Sequence, residues 1–176
     1  MNPFDTARAL AAMTILVDTR EQDTARARGR LRDMGCRYER QALPFGDYSV
    51  KCCLPCGQEL DLSNTVAIER KMDLDELCNC YCKDRPRFSR EFERARQAGA
   101  KLYLLVENAD WEKAYSGDYR SKMGPAALIA SILAWLARYE CQVLFCSPAT
   151  SGKLIHDILY RELKERLEER KNEACG

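Results

Sequence analysis

Thr65-Val-Ala-Ile-Glu-Arg-Lys71 is an apolar run that closes on three charges. Such a run reads as a buried strand. Side chains alternate along a strand, so Glu69 and Lys71 share one face and Arg70 takes the other. An acid beside a lysine on a buried strand is costly unless the pair serves a site. Upstream, Phe45-Gly46-Asp47 reads as a turn into a second strand, Tyr48 to Cys53, which lets Asp47 bring a second carboxylate to Glu69. Two carboxylates and a strand carbonyl, that of Ile68, form an all-oxygen donor set. Magnesium and manganese favour such hard ligands and keep several waters. Lys71 is placed to hold a water or to neutralise charge developing on a phosphodiester.

Outward from this run, strand and helix signals alternate. Thr14 to Asp18 is a short β-branched strand after a short helix, and Asp18-Thr-Arg20-Glu21 puts charges at its end. Asp23 is a candidate cap for a helix to Met34, closed by Gly35. Cys36 to Leu43 is a strand candidate, and Pro55 and Gly57 mark a loop or hairpin. Asp73, with Glu76 three residues on, opens a helix as a capping box. Asp75 falls in that helix's first turn, within reach of the site or of Arg70. A helix from about Pro86 to Ala98, a strand from Lys101 to Glu107, a helix from Pro125 to Tyr139 and a strand from Cys141 to Cys146 follow. Asp110 to Met123 reads as a polar, aromatic loop with a helical turn. The pattern predicts an α/β fold, with helices layered on a central mixed sheet.

The length of 176 residues predicts one domain, with a core over about 14–160 and a C-terminal amphipathic helix over about 151–171. No apolar run is long enough to span a bilayer. The N-terminus lacks the basic start and apolar block of a signal peptide, so a cytoplasmic location is expected. The net charge of +1 hides a local bias: Arg20 to Arg40 holds seven arginines against four acids, and Lys83 to Arg96 six basic residues against three acids. Local positive regions of this kind suit a polyanion better than a neutral small molecule, though charge alone favours a pair of solvated helix faces.

Gly46-Asp47, then Glu69-Arg70-Lys71, then three residues and Asp75, resembles the signature of the XPF-type nuclease domain. That signature reads G-D, a variable gap and E-R-K-x-x-x-D. Val17-Asp18-Thr19-Arg20-Glu21 is similar to the family's opening V-D-x-R-E. Arg85, Arg87, Phe88 and Glu91 resemble its R-x-R-F-x-x-E helix, and Leu104 to Glu107 its later apolar strand. The similarity runs from about Ile15 to Tyr160. It implies a restriction-endonuclease-like core and magnesium-dependent cleavage of branched or flapped DNA. Asp47 and Glu69 become metal ligands, joined by the Ile68 carbonyl and Asp18. Lys71 becomes the catalytic lysine, with Arg20, Glu21, Arg70 and Asp75 in support. Many relatives add a helix-hairpin-helix domain, which is not expected here. Small stand-alone relatives occur in bacteria and phages, and nuclease domains of this type commonly pair, so a homodimer is expected.

Arg85, Arg87 and Arg90 are candidate phosphate contacts, which would position DNA without reading its sequence. Lys113, Arg120 and Lys122 are weaker candidates of the same kind. Cys53-x-x-Cys56 has metal-ligand spacing, and Cys78 and Cys82 would share a helix face, so a joint zinc site is conceivable. Small apolar filler or free thiols are the reading preferred here. Two rivals remain: a non-catalytic DNA-binding subunit of the same fold, and a resolvase or restriction-like nuclease. The single histidine, His156, lies far from the motif and is read as a surface or packing residue.

Overall fold

The computed structural model describes residues 2–173. Seven strands form one mixed sheet: β1 (Thr14–Asp18), β2 (Arg37–Gln41), β3 (Tyr48–Cys53), β4 (Glu59–Asp61), β5 (Val66–Lys71), β6 (Lys101–Glu107) and β7 (Gln142–Cys146). Their order is β2-β1-β3-β5-β6-β7, with β4 paired to β3. The centre, β1-β3-β5, is antiparallel, while β2, β6 and β7 run parallel to their inner neighbours.

Helices cover both faces, and the period-two alternation of each strand divides its side chains between two cores. One core holds Ala67, Leu102, Leu104 and Val106 from the sheet, under α3 (Leu74–Cys82), α4 (Arg85–Gln97) and α6 (Pro125–Tyr139). Trp135 is fully buried there, packed against Tyr81, Phe88, Phe92 and Tyr139. The other core takes Val66, Ile68, Tyr103 and Leu105, under α1 (Pro3–Ala11), α2 (Ala25–Met34) and α7 (Ser151–Glu173). No described helix is long and apolar enough to cross a membrane.

The expected elements form, with local adjustments. Thr24, not Asp23, caps α2: its hydroxyl accepts the Ala27 N–H at 3.1 Å, while Asp23 pairs with Arg28. Asp73 caps α3 by accepting the Glu76 N–H at 2.8 Å, and Glu76 answers by accepting the Met72 N–H at 2.7 Å. The second strand is shorter than expected, and β4 completes a hairpin that turn residues alone had left open. The polar loop after β6 contains a short helix, α5 (Trp111–Ser116). Where α7 begins, Gly152 meets α2 so closely that an added Cβ would sit 2.4 Å from the Arg30 carbonyl oxygen.

Candidate active site

The turn before β3 is built around a glycine. Gly46 has φ +71°, a left-handed conformation that L side chains rarely adopt. A Cβ there would also lie 2.9 Å from Ala67 Cβ and 3.1 Å from the Ile68 oxygen. The turn therefore presses against β5, and it delivers Asp47 between two strands. Asp47 N–H donates to the Ile68 carbonyl at 2.8 Å, and the Asp47 carbonyl accepts the Asp18 N–H at 2.8 Å. Asp47 Oδ2 then accepts the Arg70 N–H at 2.7 Å. The helix α4 clamps the same turn, because Glu91 Oε1 accepts the Gly46 N–H at 3.0 Å.

Glu69 and Lys71 emerge on the α3/α4 face of β5 and are almost wholly buried. Lys71 Nζ lies 2.5 Å from Glu69 Oε1, 3.9 Å from Glu76 Oε1 and 5.2 Å from the centre of the Phe88 ring. Burial pushes the Asp47 carboxyl up to about 6 and Glu69 up to about 8; the Asp47 charge pushes Glu69 further in the same direction. Burial by itself would lower Lys71, but Glu69, Cys80 and Asp47 together outweigh it and the ammonium is held more firmly than usual. Two carboxylates raised by burial, the second also by the charge of the first, make a donor set short of positive charge. A hard divalent cation fits that deficit, and Asp47 and Glu69 are the residues that would hold it. No three His, Cys, Asp or Glu side chains converge as a metal cluster among the described residues, so backbone oxygen and water would complete the shell.

Two expected ligands are otherwise engaged. The Ile68 carbonyl already accepts the Asp47 N–H. Asp18 is buried and both its oxygens are taken. Oδ1 accepts the Arg20 backbone N–H and Nε–H, each at 2.7 Å, and Oδ2 accepts Arg20 Nη2 at 3.0 Å and the Leu43 N–H at 2.8 Å. Burial tends to raise its pKa, but these bonds hold it below the usual carboxylate value. Asp18 thus positions Arg20 rather than offering a free oxygen.

On the opposite face of β5 lies an ionic network that the motif alone did not reveal. Arg30 of α2 donates to Glu107 Oε1 at 3.0 Å, to Glu21 Oε1 at 3.1 Å and to the Tyr48 hydroxyl at 3.0 Å. The Tyr48 hydroxyl donates to Glu21 Oε1 at 3.1 Å. Arg70 Nη1 reaches Glu107 Oε2 at 3.5 Å and Nη2 lies 3.7 Å from Glu21 Oε1. Glu107 was visible as the end of an apolar strand. Arg30, in an arginine-rich helix, carried no signal that set it apart from solvated neighbours.

Asp47, Glu69, Lys71, Glu21, Arg20 and Arg70 share one cavity of roughly 610 Å³. Arg26, Arg87 and Glu91 also line it, so Arg87 faces the site as expected. Arg85 instead packs its guanidinium 5.3 Å from the centre of a Trp135 ring, and exposed Arg90 lies outside the cavity lining. Asp75 turns away: its carboxylate accepts the Arg120 and Ser121 N–H groups at 2.8 and 2.6 Å, beyond α3. Cys52 belongs to one core and Cys78 to the other, so the sheet separates the two cysteine groups. Exposed Cys53 and Cys56 stay with the β3–β4 segment, and exposed Cys82 contacts Met123. His156 sits on α7, bonded to Asp157 and stacked on Tyr160.

Residues 17–158 match the ERCC4 domain. The chain belongs to the ERCC4 domain family. This is a family of DNA nuclease domains, and the match spans every element that builds the cavity. The fold agrees with solved structures of XPF from Aeropyrum pernix. One, 19% identical, has a TM-score of 0.60 and aligns over 85% of this chain and 61% of its own. A second, in complex with DNA, is also 19% identical, with a TM-score of 0.59 over 87% of this chain and 66% of its own. The chain thus spans less than two thirds of their length. No curated protein sequence matches it. The restriction-endonuclease-like core of the ERCC4 domain is therefore the fold of this protein.

Proposed function

We propose that this ERCC4 domain hydrolyses phosphodiester bonds in DNA with the help of a divalent cation, magnesium or manganese, at branched, forked or flapped structures. One observation carries the reading: Asp47, Glu69 and Lys71 reach a single arginine-rimmed cavity from two strand segments. A bound ion supplies Lewis acidity toward a phosphate oxygen and a more acidic water. Asp47 and Glu69 hold it, with the Arg70 N–H fixing the angle of Asp47. Lys71 Nζ, buried and fully charged, neutralises the oxygen that gains charge as water bonds to phosphorus and the bond to the leaving strand breaks. Arg20, Arg26 and Arg87 on the rim suit phosphates on either side of the cut.

A homodimer is part of this proposal. β7 ends the sheet with Val143, Leu144, Phe145 and Cys146 half-buried. Leu133 of α6 is 49% exposed and Trp111 and Tyr115 of α5 are 39% and 63% exposed. Trp111 stands edge-on to Phe145, which joins α5 to that strand. A twofold contact there would cover the apolar side chains. A monomeric mass at micromolar concentration would refute it.

Labelled linear duplex, flap, fork and four-way junction, each with magnesium or with chelator, test the activity. Metal-dependent cuts near the branch are expected. Binding without cleavage of any substrate would identify a non-catalytic subunit. Cleavage of linear duplex at a fixed sequence would identify a restriction-like enzyme.

A further inference from the structure

Asp75, the last acid of the E-R-K-x-x-x-D run, does not line the catalytic cavity. Its side chain instead grips the loop between α5 and α6. Besides the Arg120 and Ser121 N–H groups, it takes Arg120 Nε at 3.1 Å. The loop is fixed further along, where the Tyr119 hydroxyl donates to the Met123 carbonyl at 2.9 Å and the Ser121 hydroxyl oxygen accepts the Met123 N–H at 3.3 Å. Cys82, in the last turn of α3, meets Met123 sulfur to sulfur at 3.7 Å.

This packing sets Arg120 and Lys122 with Lys83, at the end of α3. Together with Asn79 they line a groove of roughly 740 Å³. Lys83 and Lys122 make no ion pair among the described residues, and the one carboxylate in the lining, Asp75, is spent on Arg120 and two backbone donors. Asn79 also lines the recess that contains Glu69 and Lys71, so the groove adjoins the reacting groups across α3. No aromatic ring lines it, and it therefore suits a charged backbone better than stacked bases.

We propose that this groove binds the phosphate backbone of a second DNA segment, the arm of a branched substrate that diverges from the one in the catalytic cavity. Asp75 is its positioning residue: two backbone donors caught by one short carboxylate hold Arg120 and Lys122 in place. The proposal rests on the nuclease reading above and adds the surface on which a branch is distinguished from linear DNA.

Fluorescence anisotropy in chelator tests it, with a forked DNA and a short linear duplex, over a range of salt. The variant is K83A/K122A, which removes two exposed amines. Fork affinity should fall about tenfold, and the slope of log affinity against log salt should shrink by about 1.4 to 1.8, two phosphate contacts' worth. Affinity for the linear duplex should stay within about twofold. D75A should reproduce the fork-specific loss and raise KM for the fork more than for the duplex. An unchanged fork slope in K83A/K122A, or equal losses on both substrates, would overturn the groove. The lysine variant decides the matter even where D75A fails to fold. Wild-type cleavage of the fork with magnesium checks the underlying reading separately: cleavage with an unchanged slope sinks only the groove, and no cleavage of any substrate sinks both.

Discussion

The Arg70 N–H donates to Asp47 Oδ2 at 2.7 Å, so the first carboxylate of the site is fastened to the strand that carries the second. Asp47 and Glu69 are therefore one mechanical unit, and charge can be separated from placement by substitution.

Asp47→Asn keeps an acceptor for the Arg70 N–H and removes the charge. The fold should survive, with a melting temperature within a few degrees of wild type. Single-turnover cleavage should drop by about a thousandfold, the scale expected when a group that stabilises charge in the transition state is lost. Cleavage at the wild-type rate would remove Asp47 from the metal site.

The proposed site should bind its cation in a pH-dependent way. Burial pushes the Asp47 carboxyl up to about 6 and the Glu69 carboxyl up to about 8. A cation must displace those protons, so affinity for magnesium or manganese should rise as pH goes from about 6 to about 8. Binding should also release protons, which calorimetry in two buffers of different ionisation enthalpy reads directly. The sign for metal-free stability is opposite. A raised folded pKa gives stability that is full below the unfolded value, near 4.5 for Glu69, and fades as pH climbs through about 8. A flat binding profile would contradict the assignment.

Glu91 should matter mainly through its hydrogen bond to Gly46. Glu91→Gln retains an oxygen acceptor for that N–H, whereas Glu91→Ala frees the turn. The Ala variant should lose about ten to a hundredfold in kcat, because a small misplacement of a reacting group is costly. The Gln variant should recover most of that loss. If Gln is as poor as Ala, the charge rather than the bond to Gly46 is what the site needs.

Breaking the Arg30–Glu107 pair should cost stability. Both side chains are buried, and removing one partner strands the other's charge. Arg30→Ala should lower unfolding free energy by about 3–5 kcal/mol, measurable by urea denaturation. It should also release Glu21 and loosen the surroundings of Arg70. A loss below about 1 kcal/mol would show that water reaches the network freely.

Local signals carried much of this fold. Apolar runs bounded by turns marked β3, β6 and α6 at their observed limits, because burial of one segment leaves its own periodic trace. The same alternation put Glu69 and Lys71 on one face of β5 and Arg70 on the other. Three-residue β4 left no such trace, and it exists because β3 offers it a partner. The side on which Asp75 acts was also out of reach of the sequence, since the first turn of a helix can face either wall of a site.

The sequence by itself determined the α/β character, the alternation of charges on β5 and the pairing of Glu69 with Lys71 on one face. Those properties depend on neighbours a few positions away. The tertiary structure alone decided that Arg30, 77 residues from Glu107, closes the network behind Arg70. It also decided that Asp18 is consumed by Arg20 and Leu43, and that Asp75 holds the loop at Arg120 and Ser121. Each is a pairing between distant segments, settled when burial forces every charge and N–H to find a partner.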